Sequence, residues 1–226
     1  MTYNDLVEKR KAYNLQIEGL INAADIKGND YDAGHYLEPW AKWHNSSPAQ
    51  ILLVGQDWGG QKYYLNNRGG DNDQNPTCKN LITLFERIKI DVGFPSAPIK
   101  EVNLHFTNII PFLRTDQMQG SLNKILTQTL INEFAIEFTK PLIEIVEPQI
   151  IVTLGIAAFR GITSIYEMTT SNNVKLKDIV GHGPVILKEG LLLFPMFHCG
   201  SSGVNRNRKL IEQMADWDKI GPYLKK

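Results

Sequence analysis

At 226 residues the chain is long enough for one sizeable domain, and its 42% hydrophobic residues can fill a core. No apolar run reaches the roughly 18 residues a membrane helix needs, and the polar start, MTYNDLVEKRKAYNL, is unlike a secretion signal. Lys plus Arg and Asp plus Glu balance at 24 each, so no basic surplus announces a nucleic-acid partner, although a local patch can meet phosphates without one.

The first fifty residues read as a mostly helical wrap ending in the turn NSSPAQ (45–50). ILLVG (51–55) then has the length and branched composition of a buried strand. NLITLFERI (80–88) has helical spacing, and LHFTNII (104–110) is a second strand. Between 121 and 148, Leu122, Ile125, Leu126, Leu130, Phe134 and Phe138 recur every three or four residues and mark the apolar face of a helix. Pro141 should kink or divide that helix. IIVTLG (150–155) and LLLFPMF (191–197) complete four strands, and NRKLIEQMADW (207–217) is a closing helix. Strands separated by helices imply right-handed crossovers, a parallel sheet covered on both faces and a single domain over residues 1–226.

Such sheets bind ligands beyond the carboxyl ends of their strands. After the first run stand Gln56, Asp57, Trp58, Gly59 and Gly60; Asn108 falls near the end of the second, with Arg114 beyond it. The third passes through Gly155 into a tight strand-to-helix turn, and the fourth ends in FHCGSSGVNRNR, with His198 at the rim. An acid, an amide and an imidazole are thus expected at one edge. Each has a structural explanation too: a turn cap for Asp57, a backbone partner for Asn108, a core imidazole for His198.

Other chemistries lack their residues. Two cysteines, Cys78 and Cys199, fall short of the four thiolates of a structural zinc site or an iron–sulfur cluster. Gly200-Ser201-Ser202-Gly203-Val204 misses the last glycine of a nucleophile elbow, and Cys199 and His198 are neighbours on a strand, facing opposite ways. GHGPVI (181–186) fails the dinucleotide fingerprint, and the five histidines show no zinc spacing. The amides of the Gly/Ser loop, followed by Arg206, Arg208 and Lys209, suit phosphate.

These strand-end stretches resemble the uracil-DNA glycosylase superfamily. VGQDWGG is similar to its first motif, TNIIPFLR to the stretch with the base-reading asparagine, EPQIIVTLGIAAFRGI to the strand and helix between, and FHCGSSGVNRNR to its second motif. The likeness spans about residues 50–210 and implies a three-layer α/β/α sandwich around a four-stranded parallel sheet. It implies that Asp57 positions water and stabilises the sugar cation. Asn108 then pairs with the flipped base, His198 hydrogen-bonds the departing base, and Gln56, Trp58 and Gly59 shape the pocket, Gln56 mainly through its backbone. Ser201, Ser202, Gly203, Asn205 and Arg206 would meet DNA, Val204 would wedge the gap, and Tyr63 or Tyr64 would stack on the base. Trp58 stands where proline is usual, Gly59 replaces a tyrosine that excludes a 5-methyl group, and Cys199-Gly200 replaces Pro-Ser. A more open pocket follows. The expected activity is hydrolysis of uracil or a related deaminated base from DNA by a cytoplasmic monomer without cofactor or metal. The alternatives are a non-catalytic nucleic-acid or modified-base binder on the same fold and a small-molecule nucleotide enzyme.

Overall fold

The computed structural model describes residues 1–26, 36–115, 126–168 and 174–224. Helix α1 (Tyr3–Lys11) opens on a capping box: the Thr2 hydroxyl accepts from the Asp5 amide while the Asp5 carboxylate accepts from the Thr2 amide. The chain then makes the two-residue strand β1 (Leu20–Ile21) and short 3₁₀ turns at Ala23–Asp25 and Pro39–Lys42. Among the described residues α1 is thus the only α-helix of the first fifty, which are mostly irregular rather than mostly helical as expected.

Strand β2 (Ile51–Asp57) leads to α2 (Gln61–Asn66) and α3 (Pro76–Arg87). The Asn75 side chain caps α3 by accepting from the Thr77 amide, and Pro76 in the first turn forfeits no helical bond. The small hairpin of β3 (Gly93–Phe94) and β4 (Ala97–Pro98) precedes β5 (Leu104–Ile110) and β6 (Leu113–Arg114), which pairs with β1. Helices α4 (Gln128–Phe134) and α5 (Lys140–Val146) are joined by a π-helical turn over Ala135–Thr139. The kink expected at Pro141 takes this widened form. Proline has no N–H to offer the Glu137 carbonyl, which accepts instead from Lys9 Nζ at 3.1 Å. Leu122 and Ile125 of the expected helix lie outside the described residues.

Strand β7 (Ile150–Leu154) feeds α6 (Ile156–Ile165); β8 (Val185–Lys188), β9 (Leu191–Met196), α7 (Ser201–Arg206) and α8 (Leu210–Trp217) follow. The central sheet has the order β5-β2-β7-β9-β8. Its first four strands are the four expected, all parallel. The fifth, β8, runs antiparallel to β9, so the sheet is mixed and five-stranded rather than parallel and four-stranded. Strand β8 is an edge strand with Ile186 and Lys188 exposed, and it lacks the continuous burial that marks the other four in the sequence.

Alternation along the strands divides the core. Ile51, Leu53, Phe106, Ile150, Val152, Leu154, Phe194 and Met196 face α3 and Trp217 of α8. Leu52, Val54, Ile109, Ile151, Leu191 and Leu193 face α1, α4, α5 and α6. Helices therefore cover both faces, and each fully buried large apolar side chain contributes roughly 1.5–3 kcal/mol. No helix among the described residues is long and apolar enough to cross a membrane.

Candidate functional site

The same alternation places the site. On β2, Gly55 and Asp57 continue the face of Ile51 and Leu53, and the parallel register sets Gly55 beside Asn108 of β5. Gly55 is a spatial necessity. A Cβ there would lie 2.2 Å from Asn108 Oδ1 and 2.9 Å from the Trp40 ring. The missing side chain makes room for the amide and the indole.

Beyond these strand ends opens a cavity of about 340 Å³. Asp57, Asn108 and His198 all line it, together with Gln56, Trp58 and Gly59, so the residues expected at one edge do converge. Trp40, Asp71, Asn75, Thr77 and Arg114 add to its polar and aromatic wall. The aromatics of the cavity are Trp40 and Trp58; Tyr63 and Tyr64 pack against Trp58, with centroids at 5.1 and 5.7 Å, and are not part of the lining.

Asp57 is not a bare carboxylate. Arg114 Nε and Nη2 donate to its two oxygens, each at 2.8 Å, and the side chains are 5% and 11% exposed. Gln56 Nε2 adds a third donor at 2.9 Å, a side-chain role beside the backbone one expected of it. Arg114 is fixed in turn by its own amide, which donates to the Gly59 carbonyl at 2.9 Å. Gly59, at φ 141°, holds a backbone conformation that favours glycine.

His198 accepts on Nδ1 from the Gly200 amide at 2.9 Å. In a neutral ring that bond puts the proton on Nε2, which is then the donor left for the cavity. The ring is open to solvent from the cavity, yet the protein around it desolvates it and lowers its pKa; Asp57 opposes this shift and Arg114 adds to it. Cys199 is buried, its thiol directed to the Thr77 carbonyl, so the two neighbours form no dyad.

Two glycines of the Gly/Ser loop support His198. The Gly200 amide serves His198 rather than a phosphate, and a Cβ on Gly203 would lie 1.9 Å from the His198 carbonyl oxygen. Gly203, expected at DNA, is buried and packs against the His198 backbone. Ser201 and Arg206 are exposed on α7 and Val204 is half-buried, while the side chains of Ser202 and Asn205 lie outside the described residues.

Two carboxyls of the site were not anticipated. Glu38, 3% exposed, accepts on Oε2 from Asn108 Nδ2 at 2.9 Å and from the Trp40 amide at 3.1 Å. Its Oε1 is buried without a hydrogen-bond partner. Burial raises the Glu38 carboxyl to about 8, against those two donors, which favour its charged form. Asp71 accepts from the Trp58 indole at 3.2 Å and faces the Tyr63 hydroxyl at 3.4 Å; burial raises it to about 6. An acid in the apolar stretch YLEPWAKW is the one sequence signal for Glu38. Asp71, in the polar turn RGGDND, has none.

Among the described residues no group of three or more His, Cys, Asp or Glu is arranged to hold a metal ion. The arrangement offers an orienting amide, a neutral N–H donor and a carboxylate in one cavity with aromatic walls. No protein-family model matches the chain, and no curated protein is found to match it.

Proposed function

We propose that the protein hydrolyses the N-glycosidic bond of uracil, or of a related deaminated base, in DNA. The observation that carries this reading is the convergence of Asp57, Asn108 and His198 on one cavity of about 340 Å³ between Trp40 and Trp58. Each group answers a demand of the reaction. The Asn108 amide has a donor and an acceptor for a base edge that pairs a carbonyl with a ring N–H. Cleavage leaves electron density on the departing base, and the His198 Nε2–H stabilises it without transferring a proton. The Asp57 carboxylate faces the carbon that becomes positive and holds the attacking water. The base leaves the stack to reach these groups. An open trough of about 950 Å³ shares Gly155 and His198 with the cavity and carries Arg160 and Lys175, a path for the flanking strand.

A second reading rests on the bidentate Arg114–Asp57 pair, which offsets the charge the reaction needs. It makes the protein a binder of nucleic acid or of a modified base on the same fold. An oligonucleotide with a single uracil, treated with protein and then alkali, separates the two. Strand breaks that fall with Asp57→Asn, at little cost in DNA affinity, support hydrolysis. Binding with a steep salt dependence but no breaks at uracil, hypoxanthine or xanthine, in single or double strands, selects the binder.

A further inference from the structure

An amide side chain can be rotated by half a turn at almost no steric cost, and the two orientations read opposite base edges. With Nδ2 and Oδ1 in one order, Asn108 complements a carbonyl next to a ring N–H, as in uracil, hypoxanthine or guanine. In the other order it complements an amino group next to a bare ring nitrogen, as in cytosine or adenine. Something besides the asparagine itself has to choose between them.

We propose that Glu38 makes this choice: by accepting from Asn108 Nδ2 it fixes the amide in the order that selects a carbonyl–N–H edge and refuses an amino edge. Glu38 is thus a positioning residue for base specificity, acting through Asn108. The inference deepens the base-excision reading above and rests on its assignment of Asn108 to the base.

Three observations carry it. Glu38 Oε2 lies 2.9 Å from Asn108 Nδ2, and both residues are 3% exposed, so water does not compete for the bond. The same oxygen accepts from the Trp40 backbone amide at 3.1 Å. An oxygen receiving two N–H groups is an acceptor whether the carboxyl is ionised or neutral, because a proton on Glu38 settles on the other oxygen, Oε1, which has no partner. A rotated Asn108 would set Oδ1 against that acceptor, leaving two buried oxygens face to face. At the other head of the amide, Oδ1 lies over Gly55, where a Cβ would fall 2.2 Å away. The amide is therefore held at one end by a hydrogen bond and at the other by a close-fitting wall. One Nδ2 hydrogen is committed to Glu38, and the second, with Oδ1, remains for the base.

The test compares Glu38→Gln, which keeps an oxygen for the Trp40 and Asn108 donors, with Glu38→Leu, which removes it. Binding to, and base release from, otherwise identical oligonucleotides with one uracil or one cytosine are measured for each. Wild type and Glu38→Gln are expected to share a preference for uracil, while in Glu38→Leu the uracil-to-cytosine ratio falls about tenfold or more. A general loss of stability would lower both substrates together and leave the ratio unchanged. An unchanged ratio in Glu38→Leu, or an equal collapse in Glu38→Gln, overturns the assignment of Glu38 and leaves hydrolysis standing. Preferential binding of uracil that is lost in Glu38→Leu, with no base released by wild type, sinks hydrolysis alone. No discrimination by wild type sinks both. Should Glu38→Leu fail to fold, the side-chain amide protons of Asn108 are followed by NMR in wild type as free uracil is added. One proton protected from exchange and the other shifting supports the orientation; both shifting, or neither protected, refutes it.

Discussion

The site holds its carboxyls in two opposite ways: Asp57 and Asp71 line the cavity, while Glu38 lies behind it against Asn108. Asp57 is gripped by the fork of Arg114 and by Gln56. Glu38, behind Asn108, and Asp71, on the cavity wall, have indole, phenol and amide donors for company and form no ion pair among the described contacts. Identical functional groups therefore start from different states. The first is met by a cation; burial raises Glu38 to about 8 and Asp71 to about 6, more than their neutral donors offset.

The largest test removes the cation. Arg114→Ala leaves Asp57 buried with its charge uncompensated and should lower the unfolding free energy by about 3–5 kcal/mol in urea denaturation. Replacing both partners by apolar residues should restore most of that loss, since the pair's own desolvation disappears with it.

Next comes the pH dependence of the carboxyls that have no cation beside them. Glu38 rises from its ordinary 4.5 to about 8 on folding, so the folded state binds the extra proton. Its contribution is complete below about 4.5 and is lost as pH climbs through about 8. Glu38→Gln should abolish that loss and become more stable than wild type above pH 8, by a few kcal/mol as an order of magnitude. His44 and His105 act with the other sign. Burial lowers both from 6.5 to about 4, so their contribution fades as pH falls between those values, and it should persist in the Glu38 variant.

Asp71→Asn should show a smaller version of the Glu38 effect in a lower window, from 3.8 to about 6. Smallest of all, Trp58→Phe deletes the indole donor to Asp71 and should cost about 0.5–1.5 kcal/mol while moving the Asp71 titration upward. If Trp58→Phe leaves the Asp71 titration where it was, the donors are not what holds that carboxyl.

The carboxyls and their neighbours also differ in how far the sequence discloses them. Asp57, Asn108 and His198 sit at the close of short apolar runs, and a parallel sheet brings the close of each run to one edge. Period-two alternation then settles the face, because Asp57 follows Leu53 and Gly55 while Asn108 follows Phe106. Glu38 reaches Asn108 from an irregular segment, 70 residues away in sequence. No periodicity carries such a residue to its destination. Asp71 arrives on a turn of polar residues and glycines that looks like any solvated loop. Strand β8 escaped notice for a related reason: its exposed Ile186 and Lys188 interrupt the continuous burial by which the inner strands announce themselves. Gln56 and the glycines 200 and 203 were seen, but their work lies in holding neighbours, which single residues in a row do not disclose.

With Nδ1 occupied by the Gly200 amide, the imidazole of His198 takes on a second proton only by breaking that bond. Any reaction it serves begins and ends with the ring in the same form. The Nε2–H donor is therefore in place before a ligand arrives rather than selected by it.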